Sequence, residues 1–351
     1  MSRLLAICPI GIGNFLLLAP ALKHLTECKP DVRVTLLALK GGIAPVAERY
    51  PFIHDVISID ATRKTGLLGK VKSVRSLMFR FDVSAAFFPC NRREYNLLPA
   101  AAMIPRRIAF RYFQDSFRNL AWLNSTLVPV SESMHDLEQN FTILEALGVS
   151  RPEKFEMVHF PLAESECIYA NNWLTERGLE NELLIGFHPG SSAEHGMERK
   201  RWPIDRFASL GMKLIRDKGC RILVFGGPEE KEIKHAVTEA IGPLAVSVDT
   251  GNMFETAAII ARCNRFISND SGLMHVAVSL GVPACGIFGP TDDKRTAPYG
   301  ERNIVVRGLD DCSPCWTIRN VGTREECKTH DFRCLSELRA DDVYKKIQGW
   351  L

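Results

Sequence analysis

The sequence predicts an α/β protein built as two Rossmann-like domains that face each other across a cleft. Three observations carry this prediction. Apolar runs of strand length alternate with longer amphipathic stretches along nearly the whole chain, which is the pattern of repeated βα units and hence of parallel sheets with helices on both faces. Almost every apolar run ends in Gly, Pro, Ser, Asn or Asp, as the carboxyl end of a buried parallel strand does. The length of 351 residues exceeds one ordinary core, so two domains of average size are expected.

Taken in order, "RLLAIC" (3–8), "RVTLLAL" (33–39), "DVISI" (55–59) and "VSAAFF" (83–88) read as strands of a first domain spanning 1–162. The stretch from Phe15 to Leu25 reads as its first crossover helix, in which Pro20 is expected to kink or loosen one turn. The polar helical stretch "ESECIYANNWLTERGLEN" falls in a linker, 163–182. A second domain, 183–338, follows with the strands "LLIGFHPG", "CRILVFGG", "LAVSVDTG", "RFISND" and "PACGIFGP". The amphipathic "ADDVYKKIQGWL" in 339–351 is expected to form a last helix that packs back on the first domain.

Composition narrows the function. A hydrophobic content of 46% with 24% charged residues is ordinary for a soluble globular protein, and a net charge of +3 is too small to argue for nucleic acid. No run approaches the roughly 18 apolar residues of a membrane span. The N-terminus reads directly as a strand rather than as a cleavable signal, so a cytoplasmic location is expected. Of eleven cysteines, Cys8, Cys220, Cys263 and Cys285 lie within or beside apolar runs, where the thiol usually serves as a small buried hydrophobe. A disulfide scaffold is not indicated.

The polar turns carry the chemistry. "GFHPGSSAEHGMERKRWP" leaves a strand at Pro189-Gly190, offers the hydroxyls and N–H groups of Ser191 and Ser192, and brings Lys200 and Arg201 a few residues on. That set suits a phosphate or diphosphate, with an ordinary solvated loop as the alternative. In "FISNDSGLMHVAVSLGVPACGIFGPTD", a strand ends at Asn269-Asp270 and a helix begins at Ser271-Gly272, with His275 about one turn on. Asp270 or Ser271 suits a helix cap, Gly272 admits close backbone approach, and His275 can donate to a phosphate. Together these favour an anionic ligand. "LVFGGPEEKE" supplies Glu229 and Glu230 after a strand, where an acid binds both hydroxyls of a ribose or simply opens a helix. G-x-G-x-x-G with its spaced acid and G-x-x-x-x-G-K-[ST] are both missing, which weakens the dinucleotide oxidoreductase and ATPase readings.

The stretches "GIGNFLLLAPALKHL", "HPGSS", "KRWPIDRFASL", "FGGPEE" and "NDSGLMHVAVSLGVPACGIFGPTD" occur in one order over nearly the whole chain. They resemble glycosyltransferase family 9, the ADP-heptose:lipopolysaccharide heptosyltransferases. The resemblance implies the GT-B fold, with the acceptor on the first domain and the nucleotide-sugar on the second. It also implies metal-independent, cofactor-free transfer of heptose from ADP-heptose to Kdo-lipid A or a heptosylated core, with inversion at the anomeric carbon. By motif, Ser191, Ser192 and Lys200 would hold the diphosphate, and Glu230 the ribose, with Glu229 as the alternative register. Asp270, Ser271, Gly272 and His275 would line the diphosphate and donor sugar, and Lys200 and His275 would stabilise the departing diphosphate. Gly11, Gly13 and residue 14 would form the acceptor-side turn.

Here the chain departs from the family. The resemblance implies an Asp that deprotonates the acceptor hydroxyl, yet position 14 is Asn14. An amide is no useful base, and general-base help is typically worth about 10²–10⁴-fold. Three accounts stand open: another base, among which His24, His54, Asp60, Asp82 and Glu94 are candidates; proton loss to the acceptor phosphate or water; or sugar-nucleotide binding without turnover. Transfer of another nucleotide-sugar is the alternative within the class, and a GT-B-like epimerase outside it, for which no set of cleft acids is apparent.

Two further signals concern partners. Residues 61–120 hold twelve Lys and Arg against three acids, a basic excess that suits an anionic lipid-linked acceptor and peripheral contact with the inner face of the inner membrane. A solvated helix face explains the same charges. Cys312, Cys315, Cys327 and Cys334, with His330, include a C-x₂-C half-site for structural zinc, but the second pair is six residues apart rather than two to four. A packed or redox-variable loop is the competing reading.

Overall fold

A computed structural model describes residues 2–8, 11–38, 42–59, 74–87, 93–112, 117, 119–192, 194–308, 311–320 and 327–351. The chain divides into two compact units, one of Met1–Pro161 with Ile318–Arg324, the other of Leu162–Thr317 with Glu325–Leu351.

Each unit is organised on a six-stranded parallel sheet. In the first unit β1 (Arg3–Cys8), β2 (Arg33–Ala38), β3 (Asp55–Ser58), β4 (Val83–Ala86), β5 (Arg106–Arg111) and β6 (Thr126–Pro129) stand in the order β3-β2-β1-β4-β5-β6. In the second, β7 (Leu184–His188), β8 (Arg221–Val224), β9 (Ala245–Ser247), β10 (Arg265–Asn269), β11 (Ala284–Phe288) and β12 (Ile304–Arg307) stand as β12-β11-β10-β7-β8-β9. The two orders are the same. The strand order reverses between β1 and β4 and again between β7 and β10. At such a point successive crossovers leave toward opposite faces, which opens a crevice beyond the carboxyl ends of the two strands.

The central strands are apolar because helices cover both faces: β7 and β11 are buried along their whole length, and β1 at all but its first residue. Sequence patterning did not single out β5, β6 or β12. β5 begins and ends in Arg, β6 is a half-exposed edge strand ending in Pro129, and β12 is an edge strand after a polar turn. Edge strands need only one apolar face, so their signal is weak.

The first helix, Ile12–Cys28, buries Phe15, Leu16, Leu17 and Leu18 and continues through Pro20. Its start is set by Gly11, whose φ of +71° is one that side-chain-bearing residues rarely adopt. In the second unit, Trp202 and Phe207 meet edge to face at 5.0 Å, and the Trp202 indole N–H donates to the Leu338 carbonyl at 2.8 Å.

The polar helix expected as a linker, Glu164–Thr175, belongs to the second unit. It buries Ala170, Trp173 and Leu174 and packs on the helix Met253–Ile260. The terminal helix, Ala340–Ile347, likewise places Val343 and Ile347 in the second unit's own core, with Lys213 paired to Asp341 at 2.5 Å. Its apolar face is taken up by the helix Ile204–Lys218 and by β12.

Candidate functional site

The polar groups of the second unit converge at the reversal between β7 and β10. The register pairs Ser268 with His188, so the last residue of β7 sits beside the end of β10. His188 is 4% exposed and holds a partner on each side of its ring. Nδ1 lies 2.7 Å from Ser271 Oγ, and Nε2 lies 3.1 Å from Glu230 Oε2. Glu230 also accepts the Gly227 N–H, at 2.8 Å and again on Oε2. Burial by itself would raise the Glu230 carboxyl. The His188 hydrogen bond and charge, the Gly227 N–H and nearby Arg201 outweigh it and hold the group at about 2. Glu230 is therefore an ionised acceptor for the Nε2–H of His188, and the Nδ1 side of the ring is hydrogen-bonded to the Ser271 hydroxyl.

Asn269 brackets the loop after β7. Its Nδ2 donates to the carbonyls of Pro189 and Gly190 at 2.7 and 3.2 Å, and its Oδ1 accepts the Trp202 N–H at 3.0 Å. The chain from 189 to 202 is thus held against the end of β10. This brings Lys200 Nζ to 3.0 Å from Asp270 Oδ2, an ion pair with both side chains about nine-tenths buried. Ser271 occupies the N-cap of the helix Gly272–Ser279 but makes no side-chain cap, because its hydroxyl is engaged by His188. The first-turn N–H groups, at the positive end of the helix dipole, therefore lack a capping side chain. His275 sits one turn on, 4% exposed.

The two serines differ. Ser191 is buried, and its hydroxyl donates to the Met197 carbonyl at 2.9 Å while the Arg201 guanidinium grips both Ser191 oxygens. Ser191 is thus built into the loop, and Ser192 is the exposed one. Glu229 is exposed and Glu230 buried.

The next turn, Gly289 to Asp292, is gathered by Arg307 at the end of β12. Its guanidinium donates to the Gly289 carbonyl at 2.6 Å, to the Thr291 carbonyl, and to Asp293 Oδ1 at 2.9 Å through Nε. Neither Arg307 nor His188 nor Asn269 was marked as functional by its sequence context. The one available signal is that each ends a strand at this edge.

In the first unit, Gly11 is the N-cap of the first helix, and buried Gly13 and half-buried Asn14 lie in that helix's first turn, after the carboxyl end of β1. The proposed bases sort by edge. His54 immediately precedes β3, and Asp82 immediately precedes β4, so both lie at the amino edge. Asp82 is moreover held well below the usual carboxylate range by hydrogen bonds from Arg3 and Ser2. His24 lies late in the first helix and bonds the Ser150 carbonyl at 2.9 Å. Glu94 alone of the described candidates follows the carboxyl end of a strand, opening the helix Arg93–Ala101 after β4. Asn14 follows β1 and Glu94 follows β4, the two strands between which the order reverses. Asp60 lies outside the described residues.

The basic stretch is only partly described, since 60–73, 88–92, 113–116 and 118 lie outside. Of the rest, Arg80 pairs with Asp55 at 3.4 Å, Arg106 donates to the Ala146 carbonyl, and Arg107 donates to the Leu123 carbonyl at 2.7 Å. Those guanidiniums hold the fold together. Cys8, Cys220, Cys263 and Cys285 are buried as expected, and burial pushes the Cys220 thiol up to about 11 and Cys285 to about 12. Among the described residues no three of His, Cys, Asp and Glu are grouped to hold a metal ion. In the Cys-rich segment the half-buried Cys315 and its neighbour Trp316 donate their N–H groups to the Pro290 carbonyl, and Cys327 Sγ lies 3.3 Å from Thr329 Oγ1. Among the described residues no helix is long and apolar enough to cross a membrane.

Comparison with known proteins gives a consistent result. The family model described as glycosyltransferase family 9 (heptosyltransferase) matches residues 96–324. The chain is 35% identical to lipooligosaccharide heptosyltransferase 2 of Haemophilus influenzae, over 88% of this chain and 89% of that protein. Among solved structures it is similar to a glycosyl transferase of family 9 from Veillonella parvula, with a TM-score of 0.79 and 24% identity over 99% of this chain and 97% of that one. It is similar also to ADP-heptose lps heptosyltransferase II of Escherichia coli, with a TM-score of 0.73 and 21% identity over 99% and 98% of the two chains.

Proposed function

Because the chain belongs to glycosyltransferase family 9, the heptosyltransferases, and is a glycosyltransferase of two Rossmann-like units, we propose that it moves heptose from ADP-heptose to the inner core of lipopolysaccharide. The observation that supports this most is the end of β10. There an uncapped helix start, the Lys200–Asp270 pair and the buried Glu230 meet at one reversal of strand order. A diphosphate suits that edge: Lys200 supplies a point charge, the helix start supplies N–H donors, and Glu230 accepts from the ribose. Ser192, Gly272 and His275 complete the donor side in this reading. As the glycosidic bond to the diphosphate breaks, negative charge grows on the leaving oxygen. Lys200, His275 and the helix-start amides, fixed beforehand, stabilise it without reorganisation.

The acceptor hydroxyl attacks the anomeric carbon from the opposite side, with inversion, and its proton must leave. Asn14 orients the acceptor and Glu94 takes the proton, since Glu94 shares the carboxyl edge and the strand-order reversal with Asn14. The lipid-linked acceptor is met at the cytoplasmic face of the inner membrane, by peripheral contact.

Transfer from ADP-heptose to Kdo-lipid A and to its heptosylated form tests the reading. The wild type is expected to turn over one of them. Glu94→Gln should lose about 10²-fold or more in kcat with little change in donor KM. Asn14→Asp should retain activity or gain it. Full activity in Glu94→Gln would remove that residue as the base. Absence of transfer to either acceptor, alongside turnover of a different nucleotide-sugar, would reject the donor.

A further inference from the structure

We propose that His188 is a positioning residue that sets how the nucleotide is gripped, by making Glu230 present one oxygen and by keeping Ser271 off its own helix. The inference rests on the nucleotide-sugar reading above and concerns a residue that reading does not use. His188 is 4% exposed and stands behind both groups, so it acts through them rather than on the ligand.

The first limb is the carboxylate. Glu230 Oε2 receives two N–H groups, from His188 at 3.1 Å and from Gly227 at 2.8 Å, which occupy both of its lone-pair directions. Oε1 makes no hydrogen bond among the described residues. It lies over Gly190, where a Cβ would run into it. With Gly190 packed against one side of Oε1, a carboxylate clamped in this way offers one open lone-pair direction, to one hydroxyl. The sequence suggested an acid shared by both ribose hydroxyls; the geometry makes it an acceptor for one.

The second limb is the helix start. A serine at an N-cap ordinarily turns its oxygen onto the N–H groups of the first turn. Ser271 does not, because its hydroxyl lies 2.7 Å from His188 Nδ1 and 2.9 Å from Ser268 Oγ. The N–H groups that a cap would have consumed stay available to a diphosphate. One imidazole thus fixes the ribose acceptor with Nε2 and exposes the phosphate donors with Nδ1.

The two ring nitrogens can be removed separately. In His188→Asn the amide oxygen takes the place of Nδ1 and keeps Ser271 engaged, but nothing reaches Glu230. In His188→Gln the amide nitrogen takes the place of Nε2 and keeps the Glu230 clamp, but Ser271 is released to cap its helix. Calorimetric titration of the full chain with ADP, 2′-deoxy-ADP and 3′-deoxy-ADP reads both limbs, with thermal melting confirming that each variant is folded. The wild type is expected to bind ADP and to reject one deoxy analogue by about tenfold or more while tolerating the other. His188→Asn should lose that difference between the analogues. His188→Gln should keep it while binding all three nucleotides about tenfold more weakly.

Equal losses for every nucleotide in both variants would mean that His188 is only structural, and unchanged affinities would overturn the proposal outright. Wild-type binding of ADP without preference between the deoxy analogues would reject the clamp and leave the nucleotide site standing. A wild type that fails to bind ADP would reject the nucleotide reading itself. If one variant does not fold, the other still decides its own limb.

Discussion

Glu230 is the clearest case at the scale of single residues. A buried carboxylate stays ionised only where donors outweigh the loss of water, and two N–H groups and a nearby guanidinium do so here. Its folded value of about 2 lies below its ordinary 4.5. The stabilisation it lends is therefore complete above about 4.5 and is lost as pH falls through about 2. Glu230→Gln should cost at most about 3 kcal/mol near neutrality, and the difference from wild type should close in acid. Denaturant unfolding at several pH values measures this, and a gap independent of pH would contradict it. Gly190→Ala drives a methyl into the same carboxylate. It is expected to weaken ADP binding and to destabilise the fold by about 1–3 kcal/mol, read by titration and melting of one sample. Tyr50 carries an opposite lesson. Its hydroxyl is buried with no hydrogen-bond partner among the described residues. Tyr50→Phe should raise the melting temperature, since about 1–3 kcal/mol is the usual penalty for an unsatisfied group.

At the scale of elements, the readable ones are those whose physics is local. The buried runs of β1, β7, β10 and β11 announce themselves by composition, and "NDSGLMH" marks a strand end followed by a helix start. β6 and β12 were not legible because a half-solvated edge strand loses the continuous apolar run, and β5, though interior, begins and ends in exposed Arg. The candidate site divides in the same way. Lys200, Glu230, Asp270 and Ser271 could be picked out by type and spacing. His188 and Asn269 could not, since their importance comes from β7 lying beside β10, a pairing between residues some 80 apart. Arg307 is similar, because a lone Arg at a strand end gives no hint that four acceptors, on Gly289, Thr291, Asp293 and Ser313, converge on it. Arg307→Ala leaves the Gly289 and Thr291 carbonyls without that donor. Amide exchange in residues 289–293 should then speed up markedly, with a stability loss of about 2–3 kcal/mol. Unchanged exchange there would show that the turn holds itself.

At the scale of the molecule, two units each carry a core of their own, and the nucleotide-binding residues proposed all lie in the second. ADP at about 100 times its Kd should stabilise the unit that binds it by about 2.7 kcal/mol. In scanning calorimetry, if two transitions resolve, only one should move; movement of both by the same amount would show that the units unfold as one. The division of the chain has a consequence for biosynthesis. Ile318–Arg324 returns to the first unit after most of the second has been made, and it brings Arg319 to Glu132 at 2.6 Å and buries Ile318. A ribosome delivers the first sheet early, but the last piece of that unit emerges more than 150 residues later. The first unit must therefore persist incomplete while the second is synthesised. A single proteolytic nick near Pro161 would likewise leave two fragments that still share a folded body.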